Sequence, residues 1–448
     1  MESVRGDGQS VPASELTGAV RFRQIDRTSV RSFLHAVGRP RLAWGDASTT
    51  IVAGGTAATI TAEGHDRFET VRSNAEDVFG GLTVPAEEPR AARPRLFGGF
   101  AFHEGHVDPA ADETWHGYPG AYFVLPSIQL TATPEGTWLT AAATGSEPVD
   151  RAMSRLDEWA KRLAALPEFE RSGHPGIKSK HSTPSKDGWR EQVTAATEKV
   201  RRGDLRKVVL AQSLAVDLHR PVDVPSALAR LGETYPQCFR FLFEPTAGGT
   251  FFGATPERLV TLDDRTVQTE ALAGSTGRGD TESEDEWLAQ ELRNSEKDVH
   301  EHELVVEAIR EQLGPLTSNI RTGDRSVRQL DTVQHLQTPI SAELTADTHV
   351  LSLVRALHPT PAVGGLPPDA ALRTIRDAET FDRGWYAAPV GWLDGDGNGS
   401  FAVALRSALS TDSTATLFAG AGIVADSDPD EEYDELQLKY GPMLDELA

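Results

Sequence analysis

The sequence predicts an α+β chain, and three observations predict it. Short runs rich in β-branched and aromatic residues recur at 50–60, 97–102, 122–130 and 138–143, as strands do. A longer run, K-V-V-L-A-Q-S-L-A-V from Lys207 to Val216, is apolar on both faces and reads as a strand inside a sheet. Apolar residues at helical spacing mark 150–166, 189–202 and 284–313 as helices.

Along the chain, residues 1–185 carry no chemical motif, and every suggestive segment falls within 186–448. Between them, 171–188 is rich in Gly, Pro and Ser and predicts an exposed connection. A strand-like run at 250–262 carries Glu257, and T-E-A-L-A-G-S-T-G-R-G follows at 269–279. Gly/Pro turns and further strands come at 335–339, 357–365, 381–392 and 401–408. The C-terminal helix starts where Asp428 offers an N-cap, Pro429 suits the first helical position and Glu431 stands three residues after the cap.

Composition excludes several functions. A net charge of −23 with a pI near 5.0 disfavours nucleic acid and anionic membranes as partners. No apolar run approaches the length of a membrane span. The first ten residues lack the basic start and apolar stretch of a secretory signal, so a cytoplasmic location is expected. The single cysteine, Cys238, forms no internal disulfide or multi-thiolate metal site. Only 8 of the 44 basic residues are lysine, and such an acidic, lysine-poor surface resembles proteins adapted to high salt. Lysines in apolar settings therefore stand out, namely Lys207, Lys297 and Lys439.

Lys207 opens an apolar strand, where a low dielectric would depress its pKa and suit it to act as a general base. The alternative is a strand-end lysine with its amine in water. Glu257 interrupts an apolar run, and burial there would raise its pKa and make it a proton donor. The alternative is a surface turn with Arg258. Glu301 enters the apolar half of its helix and needs a cation or a salt bridge, with Asp298 one turn earlier as a helper. His300 and His302 point to different sides, which argues against zinc. Glu432, Glu435 and Lys439 share one face of the C-terminal helix, bordering the stripe of Tyr433, Leu436 and Tyr440. They fit either a solvated face with a Glu435–Lys439 pair or a metal and anion site. Two helical carboxylates, Glu301 and Glu435, suit a hard cation such as Mg²⁺. A glycine-rich turn at Gly420, Ala421 and Gly422 lets backbone N–H groups approach an anion, and Arg406 can grip a carboxylate bidentately.

Taken in order, K-V-V-L-A, G-A-T-P-E-R-L, L-A-G-S, K-D-V-H-E-H-E-L-V, H-L-Q-T-P, H-P-T-P-A-V-G-G, D-R-G-W-Y, A-L-R-S-A and A-G-A-G-I-V-A-D-S-D-P-D-E-E-Y-D-E-L-Q-L-K resemble the chorismate-utilising enzymes. The resemblance covers roughly 186 to 446. It implies large antiparallel sheets packed face to face with helices outside, completed by residues 1–185. It also implies Lys207 as the base that activates water and Glu257 as the acid that protonates the leaving hydroxyl. Glu301 and Glu435 would bind Mg²⁺, with Glu432 in the outer shell. Arg406, Lys439, Tyr386 and the Gly420, Ala421 and Gly422 amides would hold the enolpyruvyl side chain of chorismate, and His335 and Gly274 would line the pocket.

Within the family, Lys207 and Ala362 resemble isochorismate synthases, whereas the ammonia-using members usually carry glutamine at the first position. Gln212, Ala388 and Tyr433 depart from the usual pattern, and Tyr433 looks more like the anthranilate type. The activity implied is Mg²⁺-dependent conversion of chorismate to isochorismate, for menaquinone or siderophore synthesis, with no obligatory glutamine amidotransferase. The alternatives are a salicylate synthase, an anthranilate or aminodeoxychorismate synthase component, and a chorismate-binding regulatory protein without turnover.

Overall fold

The computed structural model describes residues 3–4, 10–11, 16–105, 114–167, 170–330 and 333–448. Most of the N-terminal segment read above for a secretory signal lies outside the described residues. Among the described residues, no helix is long and apolar enough to cross a membrane.

Two large sheets dominate. The larger, of thirteen strands, runs in space from Ile177–Thr183 through Lys207–Leu218, Thr414–Ile423, Ser407–Thr411, Thr250–Thr255 and Phe239–Glu244. It continues through Arg41–Gly45, Thr50–Gly54, Ile128–Thr133, Gly136–Thr144 and Gly18–Ile25 to Leu82–Thr83. The smaller, of ten strands, has Val333–Leu344, Thr266–Gly277, Arg258–Asp263, Gly399–Val403 and Pro389–Asp394 side by side, then Arg95–Phe100, Ala121–Leu125 and Ala58–Ala62. Pairing in both is antiparallel apart from Gly18–Ile25 with Leu82–Thr83. The architecture is the α+β fold with large antiparallel sheets that the motifs imply.

One apolar core joins the sheets. Trp385 sits in it fully buried, edge-on to Tyr118 and to Phe243 of the larger sheet, with centroids 5.2 and 5.7 Å away. On the other side it meets Gly99 of the smaller sheet, where a Cβ would come within 2.7 Å of the indole. Its Nε1 donates to the Pro119 carbonyl at 3.0 Å, so the one polar atom of the ring is satisfied inside the core.

Several runs that read as single strands are two strands in different sheets. Residues 50–60 divide at Gly55, which has φ +62, into Thr50–Gly54 of the larger sheet and Ala58–Ala62 of the smaller. Residues 122–130 divide into Ala121–Leu125 and Ile128–Thr133, and 250–262 into Thr250–Thr255 and Arg258–Asp263. Both flanks of each crossing are buried, so hydrophobic patterning continues across the bend and does not mark it. The predicted 284–313 helix is also two, Glu282–Asn294 and Glu296–Leu313. Ser295 leaves helical geometry between them and caps the second by accepting from the Asp298 N–H at 3.2 Å. The predicted connection at 171–188 is largely ordered: Ile177–Thr183 is the outer strand of the larger sheet, and Ser185 caps the helix Lys186–Arg201.

Replacing Trp385 with Ala removes the group that touches both sheets and is expected to lower the unfolding free energy by about 3–5 kcal/mol, measured by urea denaturation followed by far-UV circular dichroism.

Candidate active site at the sheet crossings

Two crossings between the sheets place the central side chains. Strand Thr250–Thr255 leaves the larger sheet through Pro256 and Glu257, and Arg258–Asp263 joins the smaller. Pro256 has no N–H to give to a ladder, which suits it to the bend. In the opposite direction, Gly399–Val403 of the smaller sheet passes through 404–406 to Ser407–Thr411 of the larger. Arg406 there adopts φ +49, a region non-glycine residues seldom occupy. The crossings lie against each other: Val403 N–H donates to the Glu257 carbonyl at 3.0 Å, and Ala254 N–H donates to the Arg406 carbonyl at 3.2 Å. Glu257 is therefore neither in mid-strand nor in a surface turn, and its side chain is 5% exposed.

The side chains at these crossings face a cavity continuous with solvent. Lys207 comes from the first residue of Lys207–Leu218, Glu301 from the helix Glu296–Leu313, and Glu435 and Lys439 from the helix Pro429–Leu447. Tyr386, Gly274, His335, Ala362, Gly420 and Gly422 also line it. Of the residues that the resemblance assigns to catalysis, substrate or metal, Ala421 and Glu432 do not. Gly420, Ala421 and Gly422 form no turn; they belong to strand Thr414–Ile423. Strand alternation turns Ala421 away from the two glycines, into the core. The glycines have a steric purpose. A Cβ on Gly422 would lie 2.8 Å from Lys207 Cε, and one on Gly420 would lie 3.3 Å from the Tyr386 hydroxyl.

Charges in the cavity are arranged in opposed pairs. Lys207 Nζ, almost fully buried, donates to Glu301 Oε1 at 2.6 Å, which removes the reading of a solvated strand-end lysine. Lys439 Nζ lies 2.5 Å from Glu435 Oε1 and donates to the Gly420 carbonyl at 2.7 Å. The Glu435–Lys439 pair thus exists, but it forms part of the cavity wall rather than a solvated face. Burial pushes the Glu435 carboxyl up, yet Lys439, Arg406 and Lys207 outweigh it and hold it below its ordinary value. Glu257 behaves oppositely. Burial, with the charge of Glu270 adding to it, raises its carboxyl to about 7 against the opposing effects of Lys207, a Thr360 hydrogen bond and Arg406.

Burial also lowers the Arg406 pKa, and among the described residues no ion pair or hydrogen bond is made by its guanidinium. A buried guanidinium with no bonded protein anion can take a carboxylate. Burial, with Arg406 and Lys439, keeps His335 neutral, and its Nδ1 pairs with the Ser275 hydroxyl at 2.8 Å.

The donor set decides what cation fits. Among the described residues, no group of three or more His, Cys, Asp or Glu side chains is placed to hold a metal, so there is no protein-only cage. Glu301 and Glu435 offer hard oxygens to the cavity. That pair suits Mg²⁺, which takes one or two carboxylates and keeps water and substrate oxygens for its other positions. Glu432 stands behind them, buried, accepting from the Ser427 hydroxyl at 2.7 Å, with burial and then Glu435 raising its pKa. Asp428 caps this helix through the Asp430 and Glu431 N–H groups, while no side-chain bond returns from Glu431. His302 is buried against Thr338 and the Ala273 carbonyl, and His300 is exposed, so the two do not converge. Lys297 is exposed and outside the cavity.

Sequence reasoning missed one brace. Arg383, within D-R-G-W-Y, donates to the carbonyls of Val209 at 2.7 Å and Val363 at 3.0 Å and pairs with Glu379, whose Oε1 accepts from the Ala211 N–H at 2.8 Å. These contacts fill the stretch of Lys207–Leu218 left between its pairings with Gly365–Leu366 and Ile177–Thr183. The motif was visible; the unpaired stretch of strand was not.

The family model for chorismate binding enzymes matches residues 13–448. The chain belongs to this family. Among chorismate-binding enzymes, isochorismate synthase MenF of Bacillus subtilis (strain 168) is 38% identical over 363 residues, 80% of this chain and 75% of the relative. The salicylate biosynthesis isochorismate synthase of Pseudomonas aeruginosa is 40% identical over 418 residues, 91% of this chain and 85% of the relative. The solved structure of MenF, the menaquinone-specific isochorismate synthase from Escherichia coli, superposes with a TM-score of 0.81 at 25% identity, over 96% of this chain and 95% of that one.

A Gly422→Ala substitution adds a Cβ 2.8 Å from Lys207 Cε and 3.3 Å from Nζ. It is expected to displace the amine from Glu301 and cut kcat at least tenfold while the thermal midpoint moves by only a few degrees, checked by steady-state kinetics and calorimetry.

Proposed function

We propose that this chorismate-binding enzyme is an isochorismate synthase, adding water at C2 of chorismate with loss of the C4 hydroxyl as water. The observation that carries the proposal is a lysine amine and a carboxyl raised to about 7 facing one cavity, with a buried unpaired guanidinium beside them. The relatives at 38% and 40% identity, both named isochorismate synthases, support the same reading.

In this mechanism Arg406 and Lys439 bind the enolpyruvyl carboxylate, Tyr386 packs beside it, and the cavity wall orients the ring. Lys207 takes a proton from the water that attacks C2, and Glu257 gives its proton to the departing C4 oxygen. Glu301 and Glu435 would hold Mg²⁺, which when bound supplies positive charge against the ring carboxylate.

Incubation with chorismate and Mg²⁺, followed by chromatography, is expected to give isochorismate, with turnover lost in EDTA and lost in Lys207→Gln while chorismate binding persists. Salicylate plus pyruvate, or anthranilate formed only with ammonia, would replace this reading by another branch of the family. Binding without turnover would make the protein regulatory.

Because Glu257 works in its protonated form and burial raises it to about 7, activity is expected to decline as pH rises through about 7. A kcat profile flat from pH 6 to 9 would remove Glu257 as the acid.

A further inference from the structure

The crossing that carries Glu257 is fastened on both sides by side chains of the smaller sheet. Glu270, on strand Thr266–Gly277, accepts from the Arg258 N–H at 3.2 Å, just after Glu257. Arg328, on Ser326–Gln329, donates to the Pro256 carbonyl at 2.9 Å, just before it, and reaches the Gln237 carbonyl at 2.8 Å. Arg328 and Glu270 also pair with each other at 3.4 Å, both side chains nearly buried. The second Glu270 oxygen accepts from Gln337 Nε2. Neither Glu270 nor Arg328 lines the cavity; the network reaches the site through the backbone on either side of Glu257, through the strand pairing of Arg328 with His335 and through its charge.

We propose that Glu270, held by Arg328 and Gln337, is a positioning residue that fixes the Glu257 carboxyl in the cavity by fastening the backbone beside it. Its role in turnover rests on the activity proposed above, whereas its hold on Glu257 does not. The Glu257 peptide is held by the Val403 N–H on its carbonyl and by the Thr255 hydroxyl on its N–H, and the Glu270–Arg328 pair adds contacts to the residues on either side of it.

The charge matters as well as the bond. The groups that face Glu257 are Lys207 from its strand, Thr360 from the 357–365 turn, Arg406 from the opposite crossing, Tyr386 and Glu270. Around Glu270 lie Arg258, Arg328, Gln337 and Cys238. Of these, Glu270 is the neighbour whose negative charge favours a proton on Glu257.

Two substitutions separate bond from charge. The Glu257 carboxyl can be followed by NMR of protein labelled with ¹³C-carboxyl glutamate, its signal assigned by loss in Glu257→Gln. In Glu270→Gln its titration midpoint is expected to fall by about one pH unit, because a like charge is gone. In Glu270→Asp, which keeps the charge but not the reach, the midpoint stays while kcat for isochorismate formation falls roughly tenfold or more at little-changed KM. A Glu270→Gln midpoint equal to wild type, or wild-type kcat in Glu270→Asp, overturns the proposal. Should Glu270→Gln not fold, Glu270→Asp alone decides it by kcat. A shifted midpoint in a protein that forms no isochorismate would sink the assigned activity and leave the positioning role standing.

Discussion

Everything in the site depends on two backbone hydrogen bonds, Val403 N–H to the Glu257 carbonyl and Ala254 N–H to the Arg406 carbonyl, which press the two sheet crossings together. At such a junction neither ladder can satisfy the backbone, because the chain is leaving one sheet and has not yet joined the other. Pairing the crossings with each other satisfies these buried groups. The consequence is chemical: an acid and a guanidinium arrive from opposite directions at one point, 149 residues apart in sequence. The same construction recurs at the other end of the sheets, where Ala57 N–H donates to Leu125 and Ser127 N–H to Gly55. There no charged side chain is placed at the bend, and the crossing is structural.

Around that junction the cavity balances its charges locally. Lys207 faces Glu301 and Lys439 faces Glu435, so each amine on the wall meets a carboxyl group. Arg406 is the exception. Its guanidinium has no bonded partner among the described residues, and burial would make its interaction with an anion stronger than in water. Burial raises the Glu257 carboxyl to about 7, whereas the charges around Glu435 hold its carboxyl below the ordinary value. Such a contrast suits the first to give a proton and the second to hold a cation.

Much of the site was legible because its parts are local. The cap at Asp428 and the shared face of Glu435 and Lys439 follow from helical geometry within a few residues. Lys207 at the start of an apolar strand, and Glu301 at the entry to a buried helical segment, are anomalies of charge in apolar surroundings that spacing exposes. Gly420 and Gly422 were found for the wrong reason. A turn was expected, whereas a strand needs them small so that Lys207 and Tyr386 can approach. Ala421 failed because the period of two in a strand sends alternate residues to opposite faces.

By itself the sequence determined the α+β class, the acidic and lysine-poor surface, the family motifs and most of the residues that face the cavity. Tertiary structure decided where strands end: runs 50–60, 122–130 and 250–262 each split between sheets, since an apolar residue reads the same on either side of a bend. It also decided the pairings, Lys207 with Glu301 and Glu270 with Arg328, which join residues 94 and 58 apart. Local pattern carries no information about which buried charge meets which. Only the packing of two sheets against each other brings those partners within reach and sets the burial that gives each its chemistry.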